Sequence, residues 1–167
     1  DVVNGADRQI SEIKSIGIGC PGTVDNKNGI VAYACNIRMK NTELGAMLEK
    51  RLGKRINLEN DANAAALGEY AVNGDDADSF VLITLGTGVG GGVIIDGKPY
   101  RGFNCAGGEL GHIIINADGE EQCSCGNKGC WEAYASVTAL IRQTKQAMQA
   151  DISSMMHKWV QENGEVS

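Results

Sequence analysis

Apolar residues along this chain follow two rhythms. Short runs, broken by Gly, Asn and Asp, alternate with stretches in which apolar residues return every three or four positions. The runs read as strands. They are Lys14 to Gly19, closed by the turn signal Cys20-Pro21-Gly22; Gly29 to Ala34; Arg55 to Leu58; Phe80 to Leu85; Val93 to Ile95; and Gly111 to Ile115. Asp96-Gly97 predicts a hairpin turn, with a further strand near Lys98 to Arg101. Helical spacing predicts a helix capped by Thr42 and running to Leu52, with Leu44, Met47, Leu48 and Leu52 on one face and Gly53 as its stop. A second, alanine-rich helix follows from Ala62 to Tyr70, capped by Asn60 or Asp61. Trp131 to Ala135, a helix capped by Ser136 and running to about Ala150, and an amphipathic segment from Asp151 complete the series. The polar residues before Lys14 read as the tail of another helix. Alternating strands and helices define an α/β fold, and the hairpins between 80 and 101 make its sheets mixed. The polar, acidic stretch Asn73 to Ser79 is the expected lobe boundary, with 1–72 in one lobe and 73–167 in the other.

The composition is that of an ordinary soluble globular chain: 167 residues, 43% hydrophobic and 22% charged. No apolar run approaches the roughly 20 residues of a membrane helix. With a net charge of −6 and no dense group of Lys and Arg, nucleic acid is not an expected partner of this segment. ATP is not excluded, because backbone amides and Mg²⁺ can carry phosphate contacts. Cys20, Cys35 and Cys105, scattered among small and apolar residues, read as buried thiols. Cys123, Cys125 and Cys130 are tightly grouped, and with no secretory signal in view such a group favours a metal over disulfides and a cytoplasmic compartment.

Four features carry candidate chemistry. Gly86-Thr87-Gly88-Val89-Gly90-Gly91-Gly92 formally contains G-x-G-x-x-G, but a strand and a hairpin follow it where the dinucleotide fingerprint needs a helix. It reads as a glycine turn open either to phosphate or simply to a tight hairpin. Glu59-Asn60-Asp61 lies where a strand meets a helix. Asp61 is there either as a cap or as a general base for a hydroxyl proton. His112, placed on the strand before the cysteine loop, and Cys123, Cys125 and Cys130 offer three sulfurs and an imidazole. This set suits tetrahedral Zn²⁺ with no position open for water, hence a structural metal. Glu109 lies three residues before His112 and Glu132 two after Cys130. Such carboxylates are ordinarily solvated, but a rigid metal loop could fix them to bind vicinal sugar hydroxyls.

The string from Gly86 to Ile115, the segment ENDANAAALGE from Glu59 to Glu69, and the cysteine run continuing into Gly129-Cys130-Trp131-Glu132 together resemble the ROK family of sugar kinases and regulators. The resemblance covers nearly the whole chain. It implies the two-lobed, actin-like ATPase (ribonuclease H-like) fold with substrate in the cleft, 1–72 belonging to the small lobe and 73–167 to the large one. It implies ATP-dependent, Mg²⁺-assisted phosphorylation of a hexose, as by a glucokinase, at the 6-hydroxyl. Asp61 would be the base; Gly22, Asn36, Asn60, Asp61, Glu109, His112 and Glu132 would bind the sugar; Gly86, Thr87 and Gly88 would bind phosphate. Zinc on His112, Cys123, Cys125 and Cys130, and a homodimer, are implied with them. The family also contains transcriptional repressors, so a sugar-sensing repressor domain is the alternative. The family's first phosphate loop and its adenosine-binding region have no counterpart in these 167 residues. The chain is therefore expected to be a piece of the kinase without activity of its own.

Overall fold

The computed structural model describes residues 2–34, 37–74 and 77–166. Asn36, an expected sugar ligand, and Cys35 lie outside the described residues. The chain forms two compact units: Asp1–Leu82 with Gly92–Gly108, and Ile83–Gly91 with Glu109–Ser167.

In the first unit, a short helix α1 (Val2–Gly5) precedes β1 (Ser15–Cys20), which pairs in parallel with β5 (Arg55–Asn60), from Ser15 opposite Arg55 to Cys20 opposite Asn60. Between them β2 (Thr23–Asp25), β3 (Ile30–Ala34) and β4 (Met39–Thr42) form an antiparallel meander. Cys20, Val24, Val31, Ala34, Ile56 and Leu58 are the buried core, with Ile16, Ile18, Met39, Leu44 and Leu48 packed against it. β2 and β4 are absent from the sequence reading. Their residues, TVD and MKNT, carry no apolar rhythm, and only pairing to β3 makes them strands. The same pairing corrects a helix start. Thr42 sits in the ladder opposite Val31, and α2 (Leu44–Leu52) begins after Glu43, which makes no side-chain cap bond. Gly53 ends α2 in the left-handed conformation, as expected. α3 (Asp61–Asn73) follows β5 directly.

The glycine run differs from the sequence reading as well. β6 (Ser79–Leu85) leads through a turn at 86–88 into β7 (Val89–Ile95), so Gly90, Gly91 and Gly92 are strand residues and only the first three positions turn. Gly92 lies against Ala62 and Ala66 of α3, where a Cβ would collide with the Ala66 methyl group; close helix–strand packing explains this glycine. Asp96 and Gly97, both at positive φ (50° and 70°), make the expected hairpin to β8 (Lys98–Pro99), and the sheet order is β6-β7-β8.

The second unit holds the cysteine loop, α4 (Glu132–Ala135), α5 (Val137–Ala150) and α6 (Met155–Asn163). Ser136 caps α5 as expected, its hydroxyl accepting the Ala139 amide at 3.0 Å. The strand expected over Gly111 to Ile115 is not formed. Leu110–His112 is a 3₁₀ turn, and only Ile114 bridges to Cys130. Opposite it, Gly129 takes a positive φ of 77°, which breaks the extended backbone a longer ladder needs. Among the described residues, no helix is long and apolar enough to cross a membrane.

Candidate functional site

The parallel register of β1 and β5 brings the Cys20-Pro21-Gly22 turn beside Asn60, at the carboxyl ends of both strands, where α/β sheets hold their ligands. Asn60 does two things at once. Its Oδ1 accepts the Asn63 amide at 3.0 Å, capping α3, and its Nδ2 donates to the Gly22 carbonyl at 3.0 Å. The choice left open by the sequence is thereby decided: Asn60 is the cap. Asp61 is exposed in the first turn; its Oδ1 accepts the Ala62 amide at 2.9 Å, and Oδ2 has no protein partner among the described residues. Burial, and then the charge of Asp61, push the Cys20 thiol above its usual range. That thiol is buried, as the sequence suggested.

Sequence reasoning missed an ion pair at this junction. The Arg101 guanidinium donates through both Nε, at 3.0 Å, and Nη2 to Glu59 Oε2, while Glu59 Oε1 accepts the Asn60 amide at 3.1 Å. The pair is largely buried, with side chains 14% exposed for Glu59 and 28% for Arg101. It ties the loop after β8 to the residue from which Asn60 and Asp61 project. No local signal could have found it, because the partners are 42 positions apart. Arg101→Ala should lower stability by about 1.5–3 kcal/mol, since a charge-assisted bond is lost and a shielded carboxylate is left alone. Adding Glu59→Gln should recover part of that loss in chemical denaturation. Strict additivity would show that the two side chains do not interact.

In the second unit, His112, Cys123, Cys125 and Cys130 converge so that one ligand atom from each lies within 4.8 Å of all the others. Cys123 Sγ is 3.5 Å from His112 Nδ1, and Cys125 Sγ is 3.6 Å from Cys130 Sγ. Backbone bonds shape the loop: the Cys123 amide donates to Asn127 O at 2.9 Å, Ile115 to Gly129 O at 2.9 Å and Trp131 to Ile113 O at 2.8 Å. Burial, then its neighbouring thiols, push Cys130 up to about 12, and burial also raises Cys123. At Cys125, burial is outweighed by hydrogen bonds, first from the Asn127 amide, and the thiol is held below its usual range. Three sulfurs and one imidazole at these separations can close round a single tetrahedral cation, which would also stabilise thiolates that burial disfavours. His112 Nε2, the nitrogen turned from Cys123, is 3.9 Å from Glu109 Oε2.

Glu132, the first residue of α4, is fixed at both oxygens. Oε1 accepts the Ser124 hydroxyl at 2.8 Å and Oε2 the Val89 amide at 3.1 Å. α5 holds the other side of the glycine turn: Val137 N–H donates to Gly86 O at 2.9 Å and the Thr138 hydroxyl to Thr87 O at 2.8 Å. The sequence pointed to Gly86, Thr87, Gly88 and Glu132 separately. Their joining through Ser124, Val89 and Thr138 was not legible in it.

A parallel strand pair running into a helix whose first turn presents a free carboxylate, with a glycine turn between antiparallel strands, belongs to the actin-like ATPase fold. The model of the ROK family matches residues 1–166, and the chain belongs to that family. It is 43% identical over 149 residues to the glucokinase of Thermotoga maritima, covering 88% of this chain and 47% of that relative. Among solved structures it is similar to a ROK family glucokinase from Streptomyces griseus in complex with glucose and AMPPNP (TM-score 0.74, 42% identity, 89% of this chain and 50% of that one). It is also similar to a ROK family transcriptional regulator, a homologue of the E. coli MLC protein (TM-score 0.77, 37% identity, 87% of this chain and 36% of that one). The chain spans about half the length of the curated relatives it matches.

Proposed function

We propose that the protein carrying this chain transfers the terminal phosphoryl group of ATP to the 6-hydroxyl of a hexose, with glucose as substrate, and works in the cytoplasm as a homodimer. The observation that carries this reading is Asp61: an exposed carboxylate held by a rigid strand–helix junction yet relieved of the capping task by Asn60. It accepts the hydroxyl proton as phosphate is transferred. Gly22, Asn36, Asn60, Glu109, His112 and Glu132 bind the sugar hydroxyls, and Gly86, Thr87 and Gly88 the phosphates, with Mg²⁺ neutralising their charge. Zn²⁺ on His112, Cys123, Cys125 and Cys130 is structural and keeps Glu109 and Glu132 in place. Residues 1–72 belong to the small lobe and 73–167 to the large one.

The nucleotide and the sugar named for the S. griseus structure, and the name of the T. maritima relative, support this reading. The test is a hexose panel with the full-length gene product, scoring ATP-dependent sugar 6-phosphate. Glucose should show the highest kcat/KM among glucose, fructose, allose, N-acetylmannosamine and N-acetylglucosamine. The likeness to a transcriptional regulator favours a second reading, a sugar-sensing repressor domain. Sugar binding with no phosphorylation of any hexose would select it.

A further inference from the structure

The two oxygens of Glu132 grip two segments of the second unit that are far apart in sequence. One oxygen takes the Val89 amide, at the exit of the glycine turn; the other takes the Ser124 hydroxyl, between two of the clustered cysteines. Gly88 packs so closely on the carboxylate that a Cβ there would run into Oε2. A side chain at 88 would therefore push the Glu132 carboxylate from its present position. Val89 is 6% exposed with Glu132 in place, so the carboxylate stands where water would otherwise meet its amide. The Cys123 thiol also donates to Oε1, at 3.6 Å. A metal-bound sulfur is a thiolate, with no proton to give and a charge that repels the carboxylate. Ser124 is then the donor this loop still offers to Oε1.

We propose that Ser124 is a positioning residue: it holds Glu132 against the Val89 amide and thereby couples the metal loop to the conformation of the glycine turn. The functional meaning rests on reading that turn as the phosphate loop and the cluster as a metal site. Removing the ion, or the hydroxyl alone, then loosens residues 86–89, so the metal acts on the phosphate side of the reaction as well as on the sugar side.

The experiment follows amide hydrogen exchange by NMR in the full-length gene product loaded with Zn²⁺, with metal content measured in parallel. Ser124→Ala should retain the ion and speed exchange at Val89 about three- to tenfold, the scale of one hydrogen bond. Ser124→Thr, which keeps the hydroxyl, should restore the parent rate, and chelation of the metal should also speed Val89. An unchanged Val89 rate in metal-loaded Ser124→Ala overturns the proposal. So does an acceleration spread evenly through α5, which reports general loosening. If Ser124→Ala loses the ion, chelation of the parent protein beside metal-loaded Ser124→Thr carries the test: acceleration confined to the turn at Val89 on chelation supports the coupling, and an unchanged rate ends it. The readout uses neither sugar nor nucleotide. A turn that responds to the metal while the full-length gene product binds no nucleotide would sink the phosphate reading and leave the coupling standing.

Discussion

Replacement of Asp61 by alanine is expected to cut hexose phosphorylation by about 10²- to 10⁴-fold, the usual contribution of a positioned general base, while sugar affinity stays close to its original value. The structure separates these effects. The N-cap of α3 is Asn60, whose bonds to the Asn63 amide and the Gly22 carbonyl do not involve Asp61. Losing the Asp61 carboxylate frees only the Ala62 amide, one of the first-turn donors that a helix leaves without an intrahelical partner. Alanine is also a strong helix former, so α3 should persist. Asp61→Asn, similar in shape but not basic, should fail to the same degree. The measurements are steady-state kinetics and sugar titration calorimetry on the full-length gene product. A parallel fall in affinity and turnover would assign Asp61 to holding the sugar and would remove the base.

The second large effect is expected from Cys125→Ser. Cys125 is the exposed member of the cluster, so the change opens no cavity and acts through the metal alone. Bound metal should fall from one ion per chain to none. The buried cluster around the loop consists of Cys123, Cys130 and Ala133 with Tyr134 packed on it, too little apolar surface to hold the loop by itself. Loss of the ion should therefore cost roughly 4 kcal/mol or more, placing it among the severe single-residue effects. It should appear as a lower melting temperature, with weaker sugar affinity because Glu109, His112 and Glu132 all flank the loop. Unchanged melting in a metal-free variant would deny the ion a structural role. Unchanged sugar affinity would cut the link between the metal and the sugar ligands.

Much of this was legible in the primary structure wherever chemistry and spacing are local. The three cysteines lie within eight residues, so their closeness followed from the chain alone. The strand–helix junction at Asn60-Asp61 was legible because an Asn before an alanine-rich run is a start signal. The reading broke where neighbours decide. Thr42 looks like a cap, but its pairing to Val31 takes it into β4. Gly90 to Gly92 look like loop, but pairing within the β6-β7-β8 sheet makes them strand. Gly111 to Ile115 look like strand, but they form a 3₁₀ turn and a single bridge, from Ile114 to Cys130.

What the sequence determined by itself, then, is the α/β class, the grouping of Cys123, Cys125 and Cys130, and the strand–helix junction that carries Asp61, because each depends on residues a few positions apart. Tertiary structure alone decided that Asn60 reaches Gly22, that Arg101 reaches Glu59, and that Glu132 reaches Val89. These are pairings of single polar atoms across some forty residues of chain, and no periodicity records them. Only the packed backbone brings such atoms within hydrogen-bonding distance, and an unpaired buried group is costly enough that the fold must settle each one.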